Sequence, residues 1–281
     1  MEAATTDTGW GVHADFARSA AKDTHTAAPF RPVHLHPTRT LRPPAAAHTH
    51  SIAELERPAP TTGTPMTPTV SILVPFRSDS ANRQRLWDHC RTIWQHTAYE
   101  LVEGHDSGLG PFNIAQAFND AASRATGDYL ILFGADHIPD TTRVDWAVEQ
   151  LAAGAPWVPL YAETAGLSKN DTHLVLNGVD PRKVPVNQVA PFCTAIIGIR
   201  RDSWVKFDER FRGWGIEDSA WRLALEHLYG PAPTPTGRLL CLWHEAASRE
   251  HFDANAALMG EYMVAAEQGR MREYIEQLGL L

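Results

Sequence analysis

From residue 69 onward this 281-residue chain alternates short β-branched runs with segments of helical period. Val70-Ser71-Ile72-Leu73-Val74, stopped by Pro75, reads as a strand. Residues 80–97 then read as a helix with Leu86, Cys90, Ile93 and Trp94 on its apolar side. The same logic predicts strands at 99–103, 129–133, 157–161, 194–199 and 238–243, and helices at 113–125, 144–153, 217–228 and 255–278. The 129–133 run is almost wholly apolar, as a central strand covered on both faces should be. Strands alternating with helices imply an α/β domain on a mostly parallel sheet, and such sheets bind ligands beyond the carboxyl ends of their strands.

The preceding residues have a different character. Residues 1–68 are rich in Ala, Thr and Pro, with Pro43, Pro44, Pro58, Pro60, Pro65 and Pro68, and show almost no sustained apolar period. Such a segment buries too little surface to offset its ordering entropy, so a flexible tail is expected over 1–68 and one catalytic-sized domain over 69–281. The tail holds six of the 14 histidines, and His34/His36 and His48/His50 are the pairs in it with metal-binding spacing. No apolar run approaches the length of a bilayer span or a secretory signal, so no membrane span and a cytoplasmic location are expected. A formal charge of -8 argues against a protein built to grip nucleic-acid backbone by bulk charge, and Cys90, Cys193 and Cys241 form neither a disulfide framework nor a zinc knuckle.

Three segments at strand ends carry the candidate chemistry. Arg77, in Pro75-Phe76-Arg77, presents a planar cation where an anionic ligand could lie. Gly134-Ala135-Asp136-His137-Ile138-Pro139 delivers a carboxylate into a turn, where it either coordinates a hard cation or caps the turn. His137 is expected to point away from Asp136, because side chains alternate along extended chain. Arg212-Gly213-Trp214-Gly215-Ile216-Glu217-Asp218 opens a helix, and two carboxylates there suit the helix dipole. The glycines beside Trp214 suggest a close approach to a ligand.

In this order and spacing the three segments resemble the β-1,4-galactosyltransferases and related inverting glycosyltransferases, including the chondroitin-synthase-like branch. The resemblance runs over residues 70–244. It implies a GT-A fold, a Rossmann-like sheet flanked by helices. Val70 to Arg77 is similar to the family's first strand and its Pro-Phe-Arg nucleotide contact, which carries Pro75, Phe76 and Arg77. Phe112-Asn113-Ile114-Ala115 resembles a Phe-Asn-Arg-Ala segment beside the donor, with Ile114 in place of Arg, and Asp106 stands where relatives present a polar group to uracil. Gly134 to Pro139 resembles the Asp-x-Asp-x-Ile-Pro metal motif with Gly134 in place of the first Asp; Ala135 and Asp136 then face the donor and Asp136 binds the metal. Residues 213–218 look like Gly-Trp-Gly-Gly-Glu-Asp, which places Trp214 and Gly215 at the sugar and makes Glu217 and Asp218 catalytic. Cys241-Leu242-Trp243-His244 resembles a Met-x-x-His pair, so His244 is the second metal ligand and Cys241 a further candidate.

The resemblance implies an enzyme moving a hexose from a UDP-sugar to an acceptor hydroxyl with inversion, using Mn²⁺ or Mg²⁺. Asp136 and His244 hold the metal, Asp218 takes the acceptor proton and Glu217 positions hydroxyls. Glycan, protein, small-molecule and modified nucleic-acid acceptors, a hydroxymethylated base among them, all suit such a scaffold. The competing readings are a retaining N-acetylgalactosaminyltransferase-like enzyme and a non-catalytic nucleotide-sugar-binding protein.

Overall fold

Neighbouring residues of a strand face opposite sides of a sheet, and the first strand, β1 (Val70–Pro75), is buried on both. Val70, Ile72 and Val74 join one apolar cluster and Leu73 the other. A strand with this pattern belongs in the middle of a sheet with helices on each face. The computed structural model describes residues 68–190 and 196–281. The tail expected over 1–68, except Pro68, lies outside the described residues, as do its histidine pairs, Cys193 and the start of the 194–199 strand.

The other strands are β2 (Glu100–Gly104), β3 (Tyr129–Leu132), β4 (Trp157–Pro159), β5 (Glu163–Gly166), β6 (Gln188–Ala190), β7 (Ile197–Arg200) and β8 (Arg238–Cys241). The helices are α1 (Ala81–Trp94), α2 (Ile114–Arg124), α3 (Thr141–Ala152), α4 (Lys169–Leu176), α5 (Glu217–Tyr229), α6 (Phe252–Glu267) and α7 (Met271–Gln277). The fold is mixed α/β, with a central sheet in the order β2-β1-β3-β7-β4. β1 pairs in parallel with β2 and β3, whereas β7 is antiparallel to both β3 and β4. Four of the five strands therefore run one way and β7 runs against them. α1 and α3 pack with one face, and α2, α5, α6 and α7 with the other.

The remaining strands form a smaller sheet, β6-β5-β8, with β5 parallel to β8. β5, α4 and β6 are absent from the sequence reading because they are short, and Gly166, Ser168 and Asn187 around them look like loop residues. The predicted 255–278 helix is two helices, α6 and α7, broken at Gly269, whose φ is +65°. Ser80, Asn113, Asp140 and Ser168 cap α1 to α4 by accepting from backbone N–H groups of their first turns.

Because β2, β1 and β3 are parallel neighbours, the chain leaving each of them emerges at one end of the sheet. Arg77, Asp106 and Asp136 all lie in those exits. Among the described residues no helix is long and apolar enough to cross a membrane.

Candidate active site

Asp136 and His244 are 108 positions apart in sequence, and backbone pairing brings them together. The turn after β3 docks on β8: Ile138 N–H donates to Leu240 O (2.9 Å), Leu242 N–H donates to Asp136 O (2.8 Å), and His137 pairs with Cys241 as an antiparallel bridge. The chain that continues from β8 then places His244 Nε2 3.0 Å from Asp136 Oδ2. Burial alone would raise the Asp136 pKa. The charges of His244, His137 and Arg83, with the hydrogen bond from His244, outweigh that and hold the carboxyl well below the usual range. Burial pulls the other way on His244, but the Asp136 charge and hydrogen bond leave its imidazole raised above its ordinary value.

His137 does not point away as the alternation rule predicts. The segment is a tight turn, closed by His137 N–H donating to Gly134 O (3.3 Å), and the ring folds back so that its Nδ1 accepts from Gly134 N–H (3.0 Å). Its Nε2 faces Asp136 Oδ1 at 3.9 Å.

A divalent cation fits this pair in one particular way. Asp136 and His244 offer a carboxylate oxygen and an imidazole nitrogen, a mixed set that suits Mn²⁺. Among the described residues no three His, Cys, Asp or Glu side chains are grouped to hold a metal. Cys241, the last residue of β8, is fully buried in the apolar cluster, and Asp136 and His244 are the pair whose donor atoms converge. A cation held by this pair would keep positions for phosphate oxygens and water, as metal sites that work on phosphorylated ligands do.

The exit of β1 has a different character. Arg77 Nε donates to Asp106 Oδ1 (3.0 Å), a second nitrogen engages Asp106 Oδ2, and Nη1 donates to Gly110 O (2.8 Å). The guanidinium lies 5.4 Å from the centroid of the Phe112 ring. Asp106, its side chain only 3% exposed, also accepts from the N–H groups of Asn113 (2.9 Å) and Gly108 (3.3 Å). Arg77 and Asp106 are thus partners of each other, and together they shape the 105–113 loop.

The other residues expected at the donor also make contacts within the fold. Asn113 caps α2 and donates to Glu209 O (3.0 Å). Pro75 and Ala135 are buried, and Phe76 packs on Trp87 with ring centroids 5.8 Å apart. Arg77→Ala leaves a buried carboxylate without its cation and is expected to destabilise the fold by about 2–3 kcal/mol in urea unfolding. Arg77→Lys, which keeps the charge but not the fork, is expected to fall between variant and parent.

The third segment reaches the same loop through Gly213, where an added Cβ would lie 3.4 Å from His251 and 3.7 Å from Pro111. Gly213 and Gly215 both need their glycine for the backbone, with φ of +63° and +106°, and Asn255 Nδ2 ties down Arg212 O (2.9 Å) and Gly215 O (3.0 Å). Their close neighbours are this chain's own His251, Pro111 and Phe252. Ile216 takes φ +81° immediately before α5, a region a β-branched residue enters only under strain. Trp214 is half-buried with Arg249 6.0 Å from its ring centroid.

Glu217 and Asp218 form the first turn of α5, where the dipole favours negative charge. Asp218 Oδ1 accepts from Ser219 N–H at 2.7 Å. Glu217 Oε2 is buried with no hydrogen-bond partner, and burial together with the Asp218 charge pushes its carboxyl up to about 8. The folded state therefore holds this proton more tightly than the unfolded chain, so stability falls as pH rises from about 4.5 towards 8. Thermal unfolding at pH 5 and pH 9 is expected to show this loss, on the order of 3 kcal/mol, and Glu217→Gln is expected to flatten it.

Arg83, in the first turn of α1, was not singled out by the sequence reading. Its charge acts on Asp136, His137 and His244. The only signal for it was its place in the helix that follows β1. Arg200 pairs with Asp202 (2.8 Å), and Arg201 Nε donates to Gly127 O (2.7 Å).

No protein-family model matches the chain, and no curated protein matches it. Among solved structures it is similar to glucosyl-3-phosphoglycerate synthase from Mycobacterium tuberculosis. The structure in complex with phosphoglyceric acid matches at 13% identity and a TM-score of 0.43, over 71% of this chain and 80% of that one. The same enzyme with Mn²⁺, uridine-diphosphate and glucosyl-3-phosphoglycerate matches at 14% identity and 0.41, over 71% and 80%. With Mn²⁺ and uridine-diphosphate-glucose it matches at 14% and 0.41, over 73% and 79%. A likeness this distant transfers no activity.

Proposed function

We propose that this chain is a metal-dependent glycosyltransferase of the GT-A type that transfers a hexose from a UDP-sugar to an acceptor hydroxyl with inversion. The observation that supports it most is the convergence of Asp136 Oδ2 and His244 Nε2 at the carboxyl end of β3. When bound there, Mn²⁺ or Mg²⁺ would neutralise the charge that grows on the leaving diphosphate. Asp136 and His244 would hold it, and Arg83 adds a further positive charge on the same side.

The protein's own part is positioning and proton transfer. In a single displacement one carboxylate must accept the acceptor proton from the face opposite the leaving group, and Asp218 takes that role. Glu217, held protonated by burial and by its neighbour, donates a hydrogen bond to a sugar or acceptor hydroxyl. Trp214 offers a flat apolar face to a sugar ring. Arg77, Asp106 and Asn113 act on the donor indirectly, by fixing the 105–113 loop.

The test is UDP release from a panel of UDP-sugars, with Mn²⁺ or with EDTA, against glycan, peptide, small-molecule and hydroxymethylated-DNA acceptors. Metal-dependent release with one donor–acceptor pair supports the reading. Metal-dependent UDP binding with no release from any pair would favour a nucleotide-sugar-binding protein, and retention at the anomeric carbon in the product would contradict the inverting step.

A further inference from the structure

Gly134 is a glycine that its backbone does not require. Its φ lies outside the left-handed region, unlike those of Gly213 and Gly215. A Cβ added there would nonetheless sit 2.6 Å from Nδ1 and 2.7 Å from Cε1 of His137, and 3.1 Å from Asp136 Oδ1. The residue that excludes a side chain at 134 is therefore His137. The ring cannot easily give way: its side chain is 15% exposed, Gly134 N–H holds its Nδ1, and Phe133 packs at its edge with centroids 6.4 Å apart.

The bond to Gly134 also fixes which nitrogen carries hydrogen. Nδ1 accepts from an N–H and is unprotonated, so Nε2 carries the proton and is a donor. That donor faces Asp136 Oδ1, while His244 takes Oδ2. In this tautomer Nε2 is not a metal ligand. Resting on the metal reading above, we infer that His137 is a positioning residue: its Nε2–H, 3.9 Å from one oxygen of Asp136, acts on that oxygen as a nearby dipole rather than through a hydrogen bond, and so favours the carboxylate orientation that presents the other oxygen beside His244. Gly134 is the space this ring needs. Polar groups beside a ligating carboxylate help to set its orientation, and the loss of hydrogen-bonded partners of this kind typically weakens metal affinity by about 10–100-fold, an upper range for this longer contact.

The two amides that mimic imidazole separate the role from mere packing. His137→Asn keeps a polar atom near the Nδ1 position but loses the donor at Nε2, whereas His137→Gln places an amide N–H near Nε2. Mn²⁺ affinity, read from the electron paramagnetic resonance signal of free Mn²⁺, is expected to fall about 10-fold in His137→Asn and His137→Ala and to stay near the parent's in His137→Gln.

The steric half is tested without metal by Tm. Gly134→Ala is expected to lower Tm strongly with His137 present and little in the His137→Ala background. Parent-like Mn²⁺ affinity in His137→Asn would overturn the positioning role. Equal Tm losses in both backgrounds would overturn the spatial coupling. If the parent itself binds no Mn²⁺, the metal reading and the role of His137 fall together, while the Tm coupling still reports on the Gly134–His137 contact.

Discussion

Asp218→Asn is expected to lower the transfer rate by about 10³-fold while leaving Mn²⁺-dependent UDP binding within about twofold of the parent. The replacement keeps size and hydrogen-bonding capacity, so Ser219 N–H still finds an acceptor at the start of α5. What it removes is the basic oxygen. An acceptor hydroxyl is a poor nucleophile until its proton is being taken, and the required carboxylate must stand on the face opposite the diphosphate. The loss should therefore appear in kcat, with little change in KM for the donor. Equal loss of UDP binding would mean that Asp218 acts through the fold of the α5 start. Glu217→Gln supplies the contrast: an amide can still donate a hydrogen bond, so it is expected to lose less activity than Asp218→Asn.

The second large effect is on metal binding. Asp136→Asn and His244→Ala are each expected to weaken Mn²⁺ binding by at least about 100-fold, since each removes one of two protein ligands. Protons compete for the same site. His244 Nε2 must be deprotonated to bind a cation, and Asp136 holds that proton on by charge and hydrogen bond. In the parent the apparent Mn²⁺ affinity is therefore expected to rise with pH, until pH passes a His244 pKa that lies above the ordinary 6.5, and then to level off. His244→Ala should lose that dependence along with the affinity. Titration calorimetry between pH 6 and pH 9 checks both statements.

The strands and helices that were legible in the sequence are those whose apolar period matches their burial. β1, β3 and α2 were found within a residue or two because they sit against the core on defined faces. The reversed direction of β7 was not legible, since nothing in Ile197-Gly198-Ile199 states which way it runs. The second sheet was hidden for a related reason: β8 was read as a strand, but its partner β5 is short and ends in a glycine.

At the site, Asp136 and His244 were paired through a motif resemblance, and the physical cause, the docking of the β3 turn on β8, needs tertiary structure to see. The pairing of Arg77 with Asp106 was not legible: each reads alone as a polar residue at a strand end, and only parallel strands place them side by side. His137 turned inward because a tight turn, not an extended chain, carries it, and alternation does not hold in a turn.

The claim on which the rest depends is that Asp136 and His244 hold a divalent cation together with the phosphates of a nucleotide. A titration of the parent with Mn²⁺, followed by the resonance of free Mn²⁺ in the presence and absence of UDP, addresses it directly. One Mn²⁺ per chain, bound at least about 10-fold more tightly with UDP present and lost in His244→Ala, is the predicted result. Mn²⁺ binding that ignores UDP, or that survives unchanged in His244→Ala, would contradict it.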